Sequence, residues 1–474
     1  MRATAPRGGA REPAMPLPRR PILLNAFDMN TPSHLTHGLW RHPRDRATDY
    51  KRLPYWLDLA RTLERGLFDG LFLADVTGVY DVWGGSPEAA LRHGIQVPIN
   101  DPAVLVGAMA SVTRHLGFGI TATIAAEAPH AFARRMSTLD HLSEGRIGWN
   151  IVTGFLDSSA RAQGAAAATG HDRRYDLADE FMTLVYRLWE ESWDDDAVIA
   201  DRARGIYADP ARVRAIRHAG EGWRLDAVHP CEPSPQRTPL LFQAGASARG
   251  TAFAARHAEV VFVPNQGLAA TAAVVRKLRA ALAEAGRDAD AVRFVTTLLV
   301  VTAPTEAEAR ARYEEYRRYA QPEAGLVQFS SAIGHDLSRH GLDDAIGGGS
   351  ADAIQSSVAS LKRPGGAQLT PRALLAQMPL GARHAPVVGT PAQIADTIEA
   401  WVCEAGIDGF NLVRTVSPEG LEHFVDLVVP ELQRRGLHKR AYAQGSWREK
   451  IFGPGRARLP PSHTGVRRRT SASP

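Results

Sequence analysis

Short apolar runs rich in β-branched and aromatic residues alternate along this chain with longer stretches whose apolar positions recur every three or four residues. The short runs predict eight strands: 22–27 (ILLNAF), 70–76 (GLFLADV), 116–123 (LGFGITAT), 146–153 (RIGWNIVT), 239–245 (PLLFQAG), 259–264 (EVVFVP), 292–303 (VRFVTTLLVVTA) and 409–416 (GFNLVRTV). A helix-like stretch follows each one. Thr305 and Glu308 have capping-box spacing, as do Thr390 and Gln393, where Pro391 adds a start signal. Ile394, Ile398, Trp401 and Val402 then share one face, and Gly406 ends that helix. Leu421, Phe424, Val425, Val428 and Leu432 line the last helix. Strand-then-helix repeated eight times is the pattern of an α/β fold, a (β/α)8 TIM barrel.

The connections are uneven. Four are long, at about 28–52, 77–100, 194–238 and 320–389, and the last includes Gly347-Gly348-Gly349. On a barrel such insertions are usually lids or edge decorations rather than new domains. The expected organisation is therefore one barrel domain over 21–436 between two basic ends. The formal charge is +5, but residues 1–20 supply +4 and residues 437–474 supply +8, which leaves the body at −7. Both ends are rich in Pro, Gly or Ser and are expected to be disordered, including the cluster Arg467-Arg468-Arg469. An acidic body is a poor partner for nucleic acid. Two distant cysteines, Cys231 and Cys403, predict a reducing, cytoplasmic setting without a disulfide framework. No apolar run approaches the roughly 18 residues of a membrane span.

In a parallel α/β protein, ligands bind where strands end. Asp75 ends the second predicted strand, Thr121 and Thr123 the third, and Asn150 and Thr153 the fourth. Each can read a polar ring edge, or can simply satisfy neighbouring backbone. In QAGASARG, residues 243–250, a strand runs through small residues into a helix. Ser247 is the expected N-cap, Gly245 permits close approach to backbone, and Arg249 adds charge, which together predict a phosphate site. His171 and Tyr175, four apart in HDRRYDLADEF, share a helix face. Other signals fail. Gly117-Phe118-Gly119-Ile120-Thr121-Ala122 matches GxGxxA but lies inside a strand, so it is no dinucleotide fingerprint. His34 and His37 have HxxH spacing without a ligand set, and no metal is expected.

Taken together, FDGLFLAD, ARRMSTLDHLSEGRIGWNIVTG, HDRRYDLADEF, LLFQAGASARGTAFAARHAE and VVGTPAQIADTI resemble the bacterial-luciferase-like flavin monooxygenases. The resemblance spans about 22–436. It is to the branch of nitrilotriacetate, EDTA, dibenzothiophene-sulfone and long-chain alkane monooxygenases, and GLWRHP at 38–43 leans toward the alkane or sulfone enzymes. It implies FMN at the barrel mouth, contacted by Asp75, by Thr121 or Thr123, by Asn150, by the His171–Tyr175 pair and, at the phosphate, by Ser247. One departure stands out. Where the family usually has a segment like GPLNVPRSPQGRP, this chain reads LDAVHPCEPSPQRTP at 225–239. That loop is expected to lie near the site and alter the pocket. Gly154 also follows Thr153 where the family usually has Ser.

The resemblance further implies a two-component monooxygenase. A separate NAD(P)H:flavin reductase supplies FMNH2, and O2 and a small organic substrate (aminocarboxylate, sulfone, sulfonate or alkane) complete the reaction. The cofactor carries the hard chemistry and the protein orients and dries the site. A homodimer is also expected. The rival readings are an F420-dependent oxidoreductase on the same fold and a non-catalytic flavin-binding protein.

Overall fold

A computed structural model describes residues 20–467 except 246, 348–353, 355, 356 and 358–368. The basic extension predicted at 1–20 therefore lies outside the described residues apart from Arg20, as do Gly348, Gly349, Arg468 and Arg469.

All eight predicted strands are present: β1 (Leu23–Met29), β2 (Gly70–Ala74), β3 (Gly117–Thr123), β4 (Ile147–Val152), β5 (Leu240–Ala244), β6 (Val260–Val263), β7 (Arg293–Thr302) and β8 (Gly409–Val413). Neighbours pair in parallel, in the order β6-β5-β4-β3-β2-β1-β8-β7, and β6 pairs with β7 to close the ring. A short strand, Val387–Gly389, pairs with the end of β7. A parallel barrel covers its strands on both faces, so they read as continuous apolar runs; β1 and β7 are buried along their whole length.

Alternation along each strand sorts side chains into two cores. Leu71, Leu73, Phe118, Ile120, Ile147, Trp149 and Leu241 face outward. They meet the ring helices α1 (Leu53–Arg65), α2 (Ala103–Ala110), α3 (Pro129–Leu142), α4 (His171–Tyr186), α5 (Ala248–His257), α6 (Leu268–Glu284) and α7 (Pro391–Ala405). Both predicted capping boxes form, at Thr305 and at Thr390. Inside the barrel lie Phe27, Phe72, Leu240, Phe242, Val295 and Val413. Phe72 packs edge-on against Phe27 and Phe242, each with ring centroids 5.4 Å apart.

The expectation that 437–474 is disordered is wrong for the residues described. Trp447 is fully buried and closes the bottom of the lumen. Space for the indole comes from missing side chains at the strand starts. A Cβ would come within 2.4 Å of it at Gly70, 2.2 Å at Gly117 and 2.8 Å at Gly148. Ser446 and Glu449 box the short helix Trp447–Phe452. Next to the indole, Arg448 forms a buried pair with Glu259 (2.7 and 3.0 Å) and donates to the carbonyls of Thr238, Pro239 and Ala457. The basic composition misleads because Arg448 is an internal ion-pair partner rather than a solvated charge.

The loop at 225–239 starts on the mouth side, where the Val228 carbonyl meets His130 in the first turn of α3 (3.2 Å), and then runs down the outer wall along α3. Its first residues close the hairpin Ile216–Ala219/Arg224–Ala227, which is held to α4 by Glu180, accepting from His218, Gly222 N and Trp223 N. Beyond the hairpin, His229 meets Ser137 (3.0 Å), His141 meets the Glu232 carbonyl (3.2 Å), and Gln236 binds Asp140 through its backbone and side chain. A Cβ on Gly145, at the foot of β4, would lie 3.2 Å from Pro235. These polar partners fix the path of the loop, because a segment this poor in strand pairing satisfies its backbone by docking on a helix.

Candidate active site

The upper ends of β3, β4 and β5 carry the polar groups. Thr121 and Asn150 are register partners, and Asn150 Nδ2 donates to Thr121 Oγ1 (2.9 Å). Asn150 Oδ1 is buried without a protein partner. A buried acceptor left unpaired costs about 1–3 kcal/mol, and a donor placed there would recover it. One residue pair higher, Thr123 and Val152 are aligned, and Gly154 follows with a left-handed φ of 75°. A Cβ on Gly154 would sit 3.6 Å from Thr123 Oγ1.

Ser247, Tyr175 and His171 form a second group. Ser247 caps α5, its hydroxyl accepting from Gly250 N (2.9 Å). The Tyr175 hydroxyl is hydrogen-bonded to Ser247, and burial pushes its pKa up. His171 opens α4, packs edge-on against Tyr175 (5.3 Å between ring centroids) and meets the Asp172 carboxylate at 2.8 Å. The start of α5 is kept bare. A Cβ at Gly250 would come within 2.9 Å of the Tyr175 hydroxyl, and one at Gly245 within 2.5 Å of the Gln243 amide. Arg249 pairs with Asp176 (2.5 Å). A ten-residue helix opening on small residues beside a hydroxyl pair suits a phosphate.

Asp75 belongs to a third group, beyond the end of β2. Burial and then the neighbouring Asp101 push its carboxyl up to about 7, against a backbone hydrogen bond from Val76 and the attraction of Arg135. A carboxyl poised near neutrality at a barrel mouth can donate or accept a hydrogen bond within the working pH range.

A further polar chain crosses three insertions and was invisible in the sequence. Ser33 Oγ meets His37 Nδ1 (3.0 Å), and His37 Nε2 meets Gln328 Oε1 (3.1 Å). Gln328 is also hydrogen-bonded to Tyr80, whose hydroxyl donates to Gln96 Oε1 (2.6 Å). Gln96 Nε2 then donates to the His34 carbonyl (2.8 Å). Burial pulls the His37 pKa down to about 4 and that of His34 well below its ordinary value, so both rings are neutral at pH 7. The His34 ring stands edge-on against Phe27 (4.4 Å), and its Nδ1 is buried without a partner. These contacts join residues up to 291 positions apart, so spacing could not reveal them. HxxH at 34–37 is part of this network.

Around that chain the insertions are apolar. Tyr80, Ile95, Leu156, Ala324 and Val327 form a buried cluster, with Val76, Val79, Trp83, Val97 and Phe155 packed against it. It unites the 77–100 connection, the segment after β4 and the helix Pro322–Ile333.

Comparison with known proteins agrees with this geometry. Residues 34–409 match the family model described as luciferase-like monooxygenase. A long-chain alkane monooxygenase of Geobacillus thermodenitrificans is 43% identical over 452 residues, covering 95% of this chain and 99% of the relative. A dimethyl-sulfide monooxygenase of Hyphomicrobium sulfonivorans is 43% identical over 446 residues, covering 94% and 93%. Among solved structures, a long-chain alkane monooxygenase superposes with TM-score 0.88 at 43% identity, covering 94% of this chain and 99% of the other. A riboflavin lyase solved with modified FMN and riboflavin gives TM-score 0.88 at 36% identity, covering 94% and 99%. A TIM barrel with this polar strand-end set, matched over most of its length, belongs to the luciferase-like monooxygenase family.

Proposed function

We propose that this chain is the oxygenating component of a two-component system. It takes FMNH2 from a separate NAD(P)H:flavin reductase and uses O2 to oxygenate a small, uncharged, apolar molecule of alkane or thioether type. The observation that carries the flavin reading is the buried, unpaired Asn150 Oδ1 at the end of β4. A flavin ring presents N–H donors along one edge and would satisfy it. Thr121 or Thr123 and Asp75 would hold the rest of that edge, His171 and Tyr175 would flank it, and the phosphate would lie at Ser247. Bound there, reduced flavin supplies the electrons that activate O2.

The protein's own part is to orient and to dry. Neutral His34 and His37 bring no mobile proton at pH 7, and the Tyr80 hydroxyl, pushed up to about 12 by burial, stays protonated. The apolar cluster over the mouth supports an apolar substrate, because a carboxylate packed against it would be desolvated. The names of the 43%-identical relatives support the same class. The two cysteines, neither of them in a disulfide, fit a cytoplasmic enzyme, and a homodimer is the expected assembly.

The test supplies FMNH2 from a surrogate reductase under 18O2, with an alkane, a dialkyl sulfide and an aminocarboxylate offered in parallel. One 18O atom in the alkane or sulfide product, and none in the aminocarboxylate, is the expected result. Oxygenation of the aminocarboxylate alone would overturn the substrate class. Failure to bind FMN in either redox state would overturn the flavin reading.

A further inference from the structure

Beyond the floor helix Trp447–Phe452 the chain crosses the outside of the barrel as a strap. Residues 459–466 lie over Tyr186 and His257, the final residues of α4 and α5. Arg458, paired with Asp195 (2.7 Å), leads into the strap, and Leu459 is buried. A Cβ on Gly465 would come within 2.7 Å of the Tyr186 ring, so the strap backbone lies flat on that ring. His463 is fully buried, edge-on to Tyr186 with ring centroids 5.7 Å apart. At their other ends α4 and α5 open on His171 and on the Ser247 cap. The strap therefore staples the far ends of the two helices whose first turns carry the proposed phosphate site.

Both nitrogens of His463 are committed. Nε2 lies 3.0 Å from the His257 carbonyl oxygen, which can only accept, so Nε2 carries the hydrogen. Nδ1 lies 3.1 Å from Gly465 N, which can only donate, so Nδ1 keeps its lone pair. A second proton on this ring would set N–H against N–H and break the contact that folds the strap back. His257 is built differently. Its Nε2 meets the Asp179 carboxylate (3.0 Å), and its Nδ1 meets the Tyr186 hydroxyl (3.2 Å), which can turn from donor to acceptor. Burial and then Arg287 hold the His463 pKa well below its ordinary value. The His257 ring and Arg448 add to this, against the hydrogen bond to the His257 carbonyl. The acidic groups around the strap are engaged elsewhere: Glu259 with Arg448, Glu190 with Thr238, and Asp179 with Arg256 and His257.

We propose that residues 459–466 are an acid-released strap across the ends of α4 and α5, triggered by protonation of His463. The ring is neutral in the docked strap and titrates as an ordinary histidine, near pH 6.5, once the strap is released. Docking is therefore full above about pH 6.5 and is lost as pH falls, by about tenfold per pH unit. Hydrogen–deuterium exchange of the full-length chain, corrected for the intrinsic effect of pH, reads this at Gly465 N and Val466 N, both hydrogen-bonded to His463. Their protection should fall about tenfold per pH unit below about pH 6.5, while the peptide holding Trp447 stays protected. In His463→Asn, whose Oδ1 can still accept from Gly465 N but does not titrate, the fall should be absent. Constant protection in the wild type, an equal fall in the variant, or simultaneous loss at Trp447 would overturn the proposal. A second measurement needs no variant and covers one whose strap never docks. Exchange of the imidazole Cε1 hydrogen, read by mass spectrometry, should give His463 in the wild type an apparent pKa below the ordinary value of about 6.5. A value at or above it would also overturn the proposal.

Discussion

The floor and the mouth of this barrel are made of the same eight strands and treat side chains in opposite ways. At the floor, glycines at 70, 117 and 148 withdraw to admit one large indole, and the Arg448–Glu259 pair is closed off by three carbonyls and the Leu241 amide. At the mouth, Asn150 Oδ1 and His34 Nδ1 are buried and unpaired, and the Asp75 carboxyl is held near neutrality. The floor spends its sequence on packing, even leaving the Trp447 indole N–H unpaired, whereas the mouth gathers its polar groups at the strand ends. Stability at one end and chemistry at the other is the general division of labour in this fold. Here the division is reached by a segment that follows the last barrel helix.

The comparison can be broken most severely by ending the chain after Gly436. The lumen then loses Trp447 and Glu259 loses its buried partner, so no cooperative thermal transition is expected; a folded truncate of unchanged Tm would refute the role given to the floor. Trp447→Ala should cost about 3–5 kcal/mol in chemical denaturation, the usual range for deleting a buried large aromatic ring. Gly117→Ala attacks the same contact from the other side, since its Cβ would lie 2.2 Å from the indole. Overpacking of this kind costs about 1–3 kcal/mol, and the cost should shrink when combined with Trp447→Ala. Additive effects would show that the two positions do not share the space.

At the mouth the expected effects are smaller and fall on binding. Asn150→Ala should weaken FMN or FMNH2 about fivefold, the equivalent of one hydrogen bond of about 1 kcal/mol, with Tm nearly unchanged. A large loss of Tm with no change in flavin affinity would reassign Asn150 to the core. Asp75 is tested by the shape of a pH profile rather than by a single value. Between the ordinary carboxylate range and pH 7 the unfolded chain releases this proton while the folded chain keeps it. Its contribution to stability is therefore full in acid, is lost as pH rises to about 7, and is constant above that. Asp75→Asn should match the wild-type Tm at pH 4 and exceed it at pH 8. Equal pH profiles for the two proteins would remove the perturbed carboxyl.

How legible each region was follows from the range of its contacts. The strands and the Thr390 and Thr305 caps depend on neighbours a few residues away, and all were readable. The register of Thr121 with Asn150 follows once β3 and β4 are recognised as adjacent. The Tyr80–Gln96–His34 chain and the His37–Gln328 contact depend on how insertions fold back, which periodicity does not encode. The floor was misread for a different reason. Composition dominated the reading of 437–474, although Ser446-Trp447-Arg448-Glu449 has the capping-box spacing that located the other two helices. Applying the local rule there would have overruled the charge count. The path of the loop at 225–239 down α3 was not legible either, because it is set by partners such as Ser137, His141 and Asp140 about ninety positions away.

The interlock of Trp447 with glycines from β2, β3 and β4 also bears on how the chain is made. During synthesis all eight strands emerge before the residue that fills the space between their lower ends. Until the helix Trp447–Phe452 emerges from the ribosome, the nascent barrel has a hollow base and an unpaired Glu259. Its assembly is committed late, by a segment made after every strand.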